Sequence, residues 1–124
     1  MSRLRVLLID DEEELVSALQ ERLELRDIEA DYLLSGHGVL EKVKAKDYDV
    51  VILDIMMPGV NGLEVLKEIK NLRPELQVIL LTGRGNIKDS ETGLKFGAFD
   101  YIVKPVNIDI LIEKMREAAG KHDG

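Results

Sequence analysis

Val50-Val51-Ile52-Leu53-Asp54 runs four apolar residues into one carboxylate. Ile55-Met56-Met57-Pro58-Gly59-Val60-Asn61-Gly62 follows, and its Pro and Gly residues end any regular element. A short unbroken apolar run bounded by turn residues reads as a strand covered on both faces, as strands of a parallel sheet are. Asp54 therefore stands at the carboxyl end of a buried strand, the edge where open α/β sheets place their chemistry.

The same grammar recurs on either side. Leu4-Arg5-Val6-Leu7-Leu8-Ile9 reads as a first strand ending in Asp10-Asp11-Glu12-Glu13-Glu14. Acidic residues suit a helix start. Leu15, Leu19 and Leu23, widened by Val16 and Ala18, give the following helix one apolar face, closed by Arg26-Asp27. Residues 28–33 alternate and are placed as a half-exposed strand at the sheet edge. Ser35-Gly36 opens a second helix, expected over 37–46 with Val39, Leu40 and Val43 on one face.

The central strand is assigned to 49–54 and a third helix to 62–72, with Leu63, Leu66 and Ile69 inward and Arg73-Pro74 as its stop. Residues 77–82 make a fourth strand and 83–86 a flexible loop. The helix expected over 87–96 is weak, with Gly93 inside it and Lys88-Asp89-Ser90-Glu91 all polar. Residues 98–103 make the last strand. After Pro105, Ile108, Leu111, Ile112 and Met115 mark a helix over 107–119, and 120–124 are expected to fray. Five strands alternating with five helices mean right-handed crossovers and a parallel sheet covered on both faces. With the second strand at the edge, the expected fold is a flavodoxin-like, doubly wound five-stranded parallel sheet in the order 2-1-3-4-5.

The totals agree with one domain over 1–124, its ordered core about 3–119. No apolar run approaches the length of a membrane span, and the acids after Ile9 do not fit a secretory signal. Cysteine is absent, which leaves no thiol chemistry and fits a reducing cytoplasm. A net charge of −7 makes the domain a poor direct ligand for nucleic acid. Its plainest use is solubility.

In a parallel sheet the strand carboxyl ends share one edge. That edge collects Asp10 and Asp11, Asp54, Thr82 and Lys104, with the topological switch point between strands one and three. Three carboxylates at close range demand a proton or a cation. Oxygen donors without His or Cys favour a hard ion, Mg²⁺ or Mn²⁺. Taken singly, Asp10-Asp11 would cap a helix, Thr82 would cap a strand end and Lys104 would be solvated. Together, Asp54 suits a nucleophile that accepts a phosphoryl group as an acyl phosphate. Lys104 and the metal would neutralise the phosphoryl oxygens and the Thr82 hydroxyl would donate to one of them. His37 and His122 read as solvated.

These residues resemble the receiver domain of two-component response regulators over essentially the whole chain. The resemblance is carried by Asp10-Asp11, the segment Asp54 to Gly62, Thr82, Gly97-Ala98-Phe99-Asp100-Tyr101 and Lys104-Pro105. It implies that Asp54 takes a phosphoryl group from a phosphohistidine on a sensor histidine kinase or phosphotransfer protein. It implies Mg²⁺ ligation by Asp11, Asp54 and the Met56 backbone carbonyl, with Asp10 acting largely through water, and a cis Lys104-Pro105 bond. It also implies a switch in which Thr82 moves to the phosphoryl group and Tyr101 swings into the vacated space. Read from its own surroundings, Tyr101 is an ordinary half-buried strand tyrosine. Gly83 stands where the family usually has Ala. By the same resemblance, Met56 and Arg84 occupy positions that in the family tune phosphoryl lifetime.

The expected output surface is helix four, strand five and helix five, acting on an unnamed partner or output domain, with a phosphorylation-dependent homodimer as one form of output. The domain is not expected to be a conventional enzyme, and it is expected to be either a stand-alone receiver or a piece of a longer regulator. A flavodoxin-type cofactor binder would need a phosphate loop where Asp10 to Glu14 stand. A haloacid dehalogenase would need Asp where Met56 stands. A receiver fold kept as a constitutive interaction module is the strongest non-chemical rival.

Overall fold

The computed structural model describes the backbone of residues 3–123 and the side chains of 3–120. The chain runs β1 (Arg5–Ile9), α1 (Glu13–Leu25), β2 (Glu29–Leu33), α2 (Val39–Ala45), β3 (Val50–Asp54), α3 (Gly62–Leu72), β4 (Gln77–Thr82), a 3₁₀ turn (Arg84–Asn86), α4 (Ile87–Lys95), β5 (Asp100–Val103) and α5 (Ile108–Asp123). The strands form one sheet in the order β2-β1-β3-β4-β5. Every pairing is parallel. This is the doubly wound sheet expected from the alternation of elements.

The strand pleat explains the two cores. Val6 and Leu8 of β1 face the layer of α1 and α5, where Val16, Leu19, Leu23, Leu111 and Met115 are buried. Leu7 and Ile9 face the other layer, with Val39, Val43, Leu66 and Ile69. All five residues of β3 are buried, as a central strand covered on both faces requires. At β2, the edge, only Ala30 is buried and its neighbours are partly exposed.

Several boundaries differ from the sequence reading, each for a local reason. The helix expected over 37–46 begins at Val39. Ser35 Oγ accepts from the His37 amide, and Gly38 takes a left-handed φ of +82°, so the preceding residues form a turn. The loop expected to be flexible over 83–86 contains a 3₁₀ turn, closed by Asn86 N donating to Gly83 O at 3.0 Å. Ala98 was assigned to the last strand, but its amide closes the end of α4 by donating to Gly93 O at 3.1 Å after Gly97 turns at φ +108°.

The expected stop at residue 119 also fails. Backbone helix continues past Gly120 through Asp123, with Ala118 and Ala119 still buried against the core. Gly124 lies outside the described residues.

Close packing surrounds two helix glycines. A Cβ on Gly62 would lie 2.4 Å from Ile55 Cα, so α3 starts against the segment that follows Asp54. Asn61 Oδ1 caps that start, accepting from the amides of Leu63 at 3.1 Å and Glu64 at 3.3 Å. A Cβ on Gly93 would lie 2.4 Å from Leu80 Cδ1. The glycine that weakens α4 as an isolated helix is thus what lets it sit close to the sheet.

Candidate functional site

Register brings the site together. Ile9 pairs with Leu53, Asp54 with Leu81, and Thr82 with Val103, so β1, β3, β4 and β5 end at one level. Asp10 follows β1, Asp54 closes β3, Thr82 closes β4 and Lys104 follows β5. Backbone bonds pin each end. Asp10 N donates to Leu33 O at 3.2 Å, Ile55 N to Leu81 O at 3.3 Å and Lys104 N to Thr82 O at 2.8 Å.

Asp10 and Thr82 are fully buried and Asp54 is 5 % exposed, whereas Asp11 is exposed. One oxygen from each of Asp10, Asp11 and Asp54 lies within 4.8 Å of the others. Lys104 Nζ sits among the acids, 2.8 Å from Asp10 Oδ2, 2.9 Å from Glu12 Oε1 and 3.1 Å from Asp54 Oδ2. Both buried acids also fold back on their own chain. Asp10 Oδ1 accepts from Glu12 N at 2.9 Å, and Asp54 Oδ1 from Met56 N at 2.8 Å. Asp10 Oδ2 is buried, and the Lys104 ammonium at 2.8 Å is its close charged neighbour.

The electrostatics follow from burial and crowding. Burial raises the Asp10 carboxyl above the ordinary range, against the opposing pull of Lys104 and the Glu12 amide. For Lys104, burial favours loss of the proton. Its bonds to Asp10, Glu12 and Asp54 outweigh burial and hold the ammonium well above the usual lysine value. Three converging carboxylates, one of them fully buried, and an all-oxygen donor set fit a hard divalent cation.

Thr82 shares the edge, but its hydroxyl faces the following loop. Oγ1 lies 3.2 Å from Gly83 O and 3.2 Å from Asn86 O, donating to one at a time. Ser90 Oγ, fully buried, reaches the same Asn86 carbonyl at 3.5 Å. Tyr101 is half-buried and packs against the α2–α3 core. The Lys104–Pro105 bond is cis. Met56 is half exposed beside the site, and His37 is exposed; the side chain of His122 lies outside the described residues.

The sequence reading missed Glu12 as a partner of Lys104. It also missed the carbonyl of Asn86 as a shared acceptor. The only signal for Glu12 was its place in the acidic run after β1. For Asn86 there was none, since a backbone carbonyl carries no residue signature.

The model of the response regulator receiver domain family matches residues 6–116. The chain is 37 % identical over 118 residues to the uncharacterized transcriptional regulatory protein YkoG of Bacillus subtilis, covering 95 % of this chain and 52 % of that protein. It is 35 % identical over 116 residues to the transcriptional regulatory protein TcrA of Mycobacterium tuberculosis, covering 94 % and 46 %. The chain therefore spans about half the length of the curated relatives it matches. Among solved structures it superposes on a response regulator receiver domain protein from Clostridium thermocellum with a TM-score of 0.90 at 32 % identity, covering 97 % of each chain. A CheY-like receiver domain protein from Methanospirillum hungatei gives 0.91 at 30 % identity, covering 98 % of each.

Proposed function

The chain belongs to the response regulator receiver domain family, and on that premise we propose that Asp54 is its phosphoacceptor. The observation that carries this reading is the placement of Asp54, a nearly buried carboxylate held by Met56 N and faced by Lys104 and two further acids. An Asp54 oxygen attacks the phosphorus of a phosphohistidine. The P–N bond breaks, the imidazole leaves with a proton, and an acyl phosphate remains. Water later attacks phosphorus, releasing orthophosphate and restoring the carboxylate. The domain is a signalling switch rather than a conventional enzyme.

Asp10, Asp11 and Asp54, with the Met56 carbonyl, would hold Mg²⁺ or Mn²⁺. Bound there, the ion supplies charge neutralisation on the transferring oxygens. Lys104 supplies a second positive charge, on an ammonium already aimed at Asp54.

The switch follows from the new charge and acceptors on Asp54. Thr82 turns its hydroxyl from Asn86 O toward a phosphoryl oxygen, and Tyr101 moves into the space it leaves. Asn86 O then loses the Thr82 hydroxyl and keeps the longer side-chain contact from Ser90, at 3.5 Å. The α4 start loosens, and the α4–β5–α5 face changes for the output partner. In this reading the phosphoryl group biases a pre-existing two-state equilibrium.

A sensor histidine kinase or phosphotransfer protein supplies the phosphoryl group, and residues 1–124 form the single receiver unit. Any contact with nucleic acid, which the names of the relatives suggest, falls to a segment outside this chain. No helix among the described residues is long and apolar enough to cross a membrane. We place the domain in the cytoplasm with its kinase partner. The test is amide NMR before and after phosphorylation with acetyl phosphate and Mg²⁺. Shifts spreading across 82–101 and α5 support the switch. Shifts confined to 10–12 and 54–57 overturn it.

A further inference from the structure

We propose that Glu12 is a positioning residue for phosphoryl capture, its carboxylate holding Lys104 at the rim of the site until a phosphoryl group competes for it. The proposal rests on the reading of Asp54 as phosphoacceptor. Lys104 Nζ touches three carboxylates, and they are not equivalent. The side chains of Asp10 and Asp54 are 0 % and 7 % exposed and belong to the converging trio that fits a cation. Glu12 is 60 % exposed and lies outside that trio.

A divalent ion bound to the trio would satisfy the charge of Asp10 and Asp54. Glu12 then becomes the one carboxylate of the three still free to pair with the ammonium.

The local geometry supports a dedicated use. Glu12 occupies the N-cap of α1, with φ −82° and ψ 92°, yet its side chain makes no capping bond. A capping residue normally spends its side-chain oxygen on the first helical amides. Here the carboxylate reaches across to a residue 92 positions away, at 2.9 Å. The backbone of Glu12 is fixed separately, by its amide on Asp10 Oδ1 at 2.9 Å. Changing the side chain therefore leaves the acidic turn in place.

The consequence is kinetic. Lys104 must leave Glu12 to meet the incoming phosphoryl oxygens, and the Glu12 charge also repels an anionic donor at the mouth of the site. Glu12 should slow capture.

The experiment follows adduct formation on the full chain by intact mass, with phosphoramidate as donor and saturating Mg²⁺. Glu12→Gln should capture about two- to fivefold faster, the range an exposed ion pair commands. Glu13→Gln, which removes the same charge one residue on, should match the parent protein. A second readout is the Lys104 ammonium resonance in the Mg²⁺-loaded protein. It should be protected from exchange in the parent and lose that protection in Glu12→Gln.

An unchanged or slower rate in Glu12→Gln overturns the proposal. So does an equal acceleration in Glu13→Gln, or an ammonium signal indifferent to Glu12. If the parent takes up no phosphoryl group, the phosphoacceptor reading fails instead, and the ammonium signal still decides whether Glu12 holds Lys104.

Discussion

The hydroxyl of Thr82 lies 3.2 Å from the carbonyl of Asn86, so in this structure the side chain serves the loop after β4 and not Asp54. That single contact ties the end of a central strand to the start of α4, where Ser90 reaches the same carbonyl. For the proposed switch it would supply a resting position made of identifiable atoms.

Thr82→Val keeps the shape of the side chain and removes the donor. Losing a neutral hydrogen bond worth about 1 kcal/mol should speed amide exchange across 86–90 by roughly fivefold. Phosphorylation of Thr82→Val should no longer shift the resonances of Tyr101 and α5. Thr82→Ser, which retains the hydroxyl, should exchange like the parent. Hydrogen-exchange NMR reads all three, and equal exchange in parent and Thr82→Val would remove the latch from the account.

Lys104→Ala should expose the repulsion that the ammonium offsets. Asp10 and Asp54 would face each other without a cation, at a cost of about 3 kcal/mol in the metal-free protein. Mg²⁺ should restore much of it, giving a larger Mg²⁺-induced rise in Tm for the variant than for the parent. Calorimetry with and without Mg²⁺ checks this, and an equal rise in both would deny that Lys104 and the metal share the same carboxylates.

Tyr48 and Asp31 form a second polar centre, away from Asp54 and Lys104, with Tyr48 OH donating to Asp31 Oδ2 at 2.6 Å and Lys46 Nζ 2.9 Å from the same oxygen. Burial and Asp31 both raise the Tyr48 phenol. Burial pushes Asp31 up, but Tyr48 and Lys46 outweigh it and hold the carboxyl below its ordinary value. A lowered carboxyl stabilises above the ordinary carboxylate range and loses that contribution as pH falls through its folded value. A raised phenol stabilises below the ordinary tyrosine value and loses it as pH rises toward the folded one. Tyr48→Phe should therefore cost about 1–2 kcal/mol at neutral pH. The gap to the parent should narrow in acid and above pH ~10. Urea midpoints across pH measure it, and a gap independent of pH would place the cost in packing alone.

What was legible in the sequence was what depends on burial and period. The run Val50 to Leu53 could be nothing but a covered strand once Pro58 and Gly59 were seen to end it, and parallel register then carried Asp10, Asp54, Thr82 and Lys104 to one edge. What was not legible depends on where a side chain points after the chain has turned. Glu12 looked like one acid suited to a helix start, and Thr82 offered a donor for a phosphoryl oxygen with no sign that its hydroxyl rests on the Asn86 carbonyl. Gly93 read as a flaw in α4 because its partner, Leu80, is thirteen residues earlier on another element. The end of α5 was misplaced because Ala118 and Ala119 are weak markers of burial by themselves.

The most direct measurement is intact mass after incubation with acetyl phosphate, with and without Mg²⁺, on the parent and Asp54→Ala, paired with beryllofluoride NMR to cover a short-lived adduct. The expected result is one Mg²⁺-dependent phosphoryl adduct, or the matching beryllofluoride shifts around Asp54, absent in Asp54→Ala. An adduct that survives Asp54→Ala contradicts the assignment of Asp54. No adduct together with no beryllofluoride response contradicts the phosphorylation switch itself and leaves a receiver fold used as a constitutive interaction module.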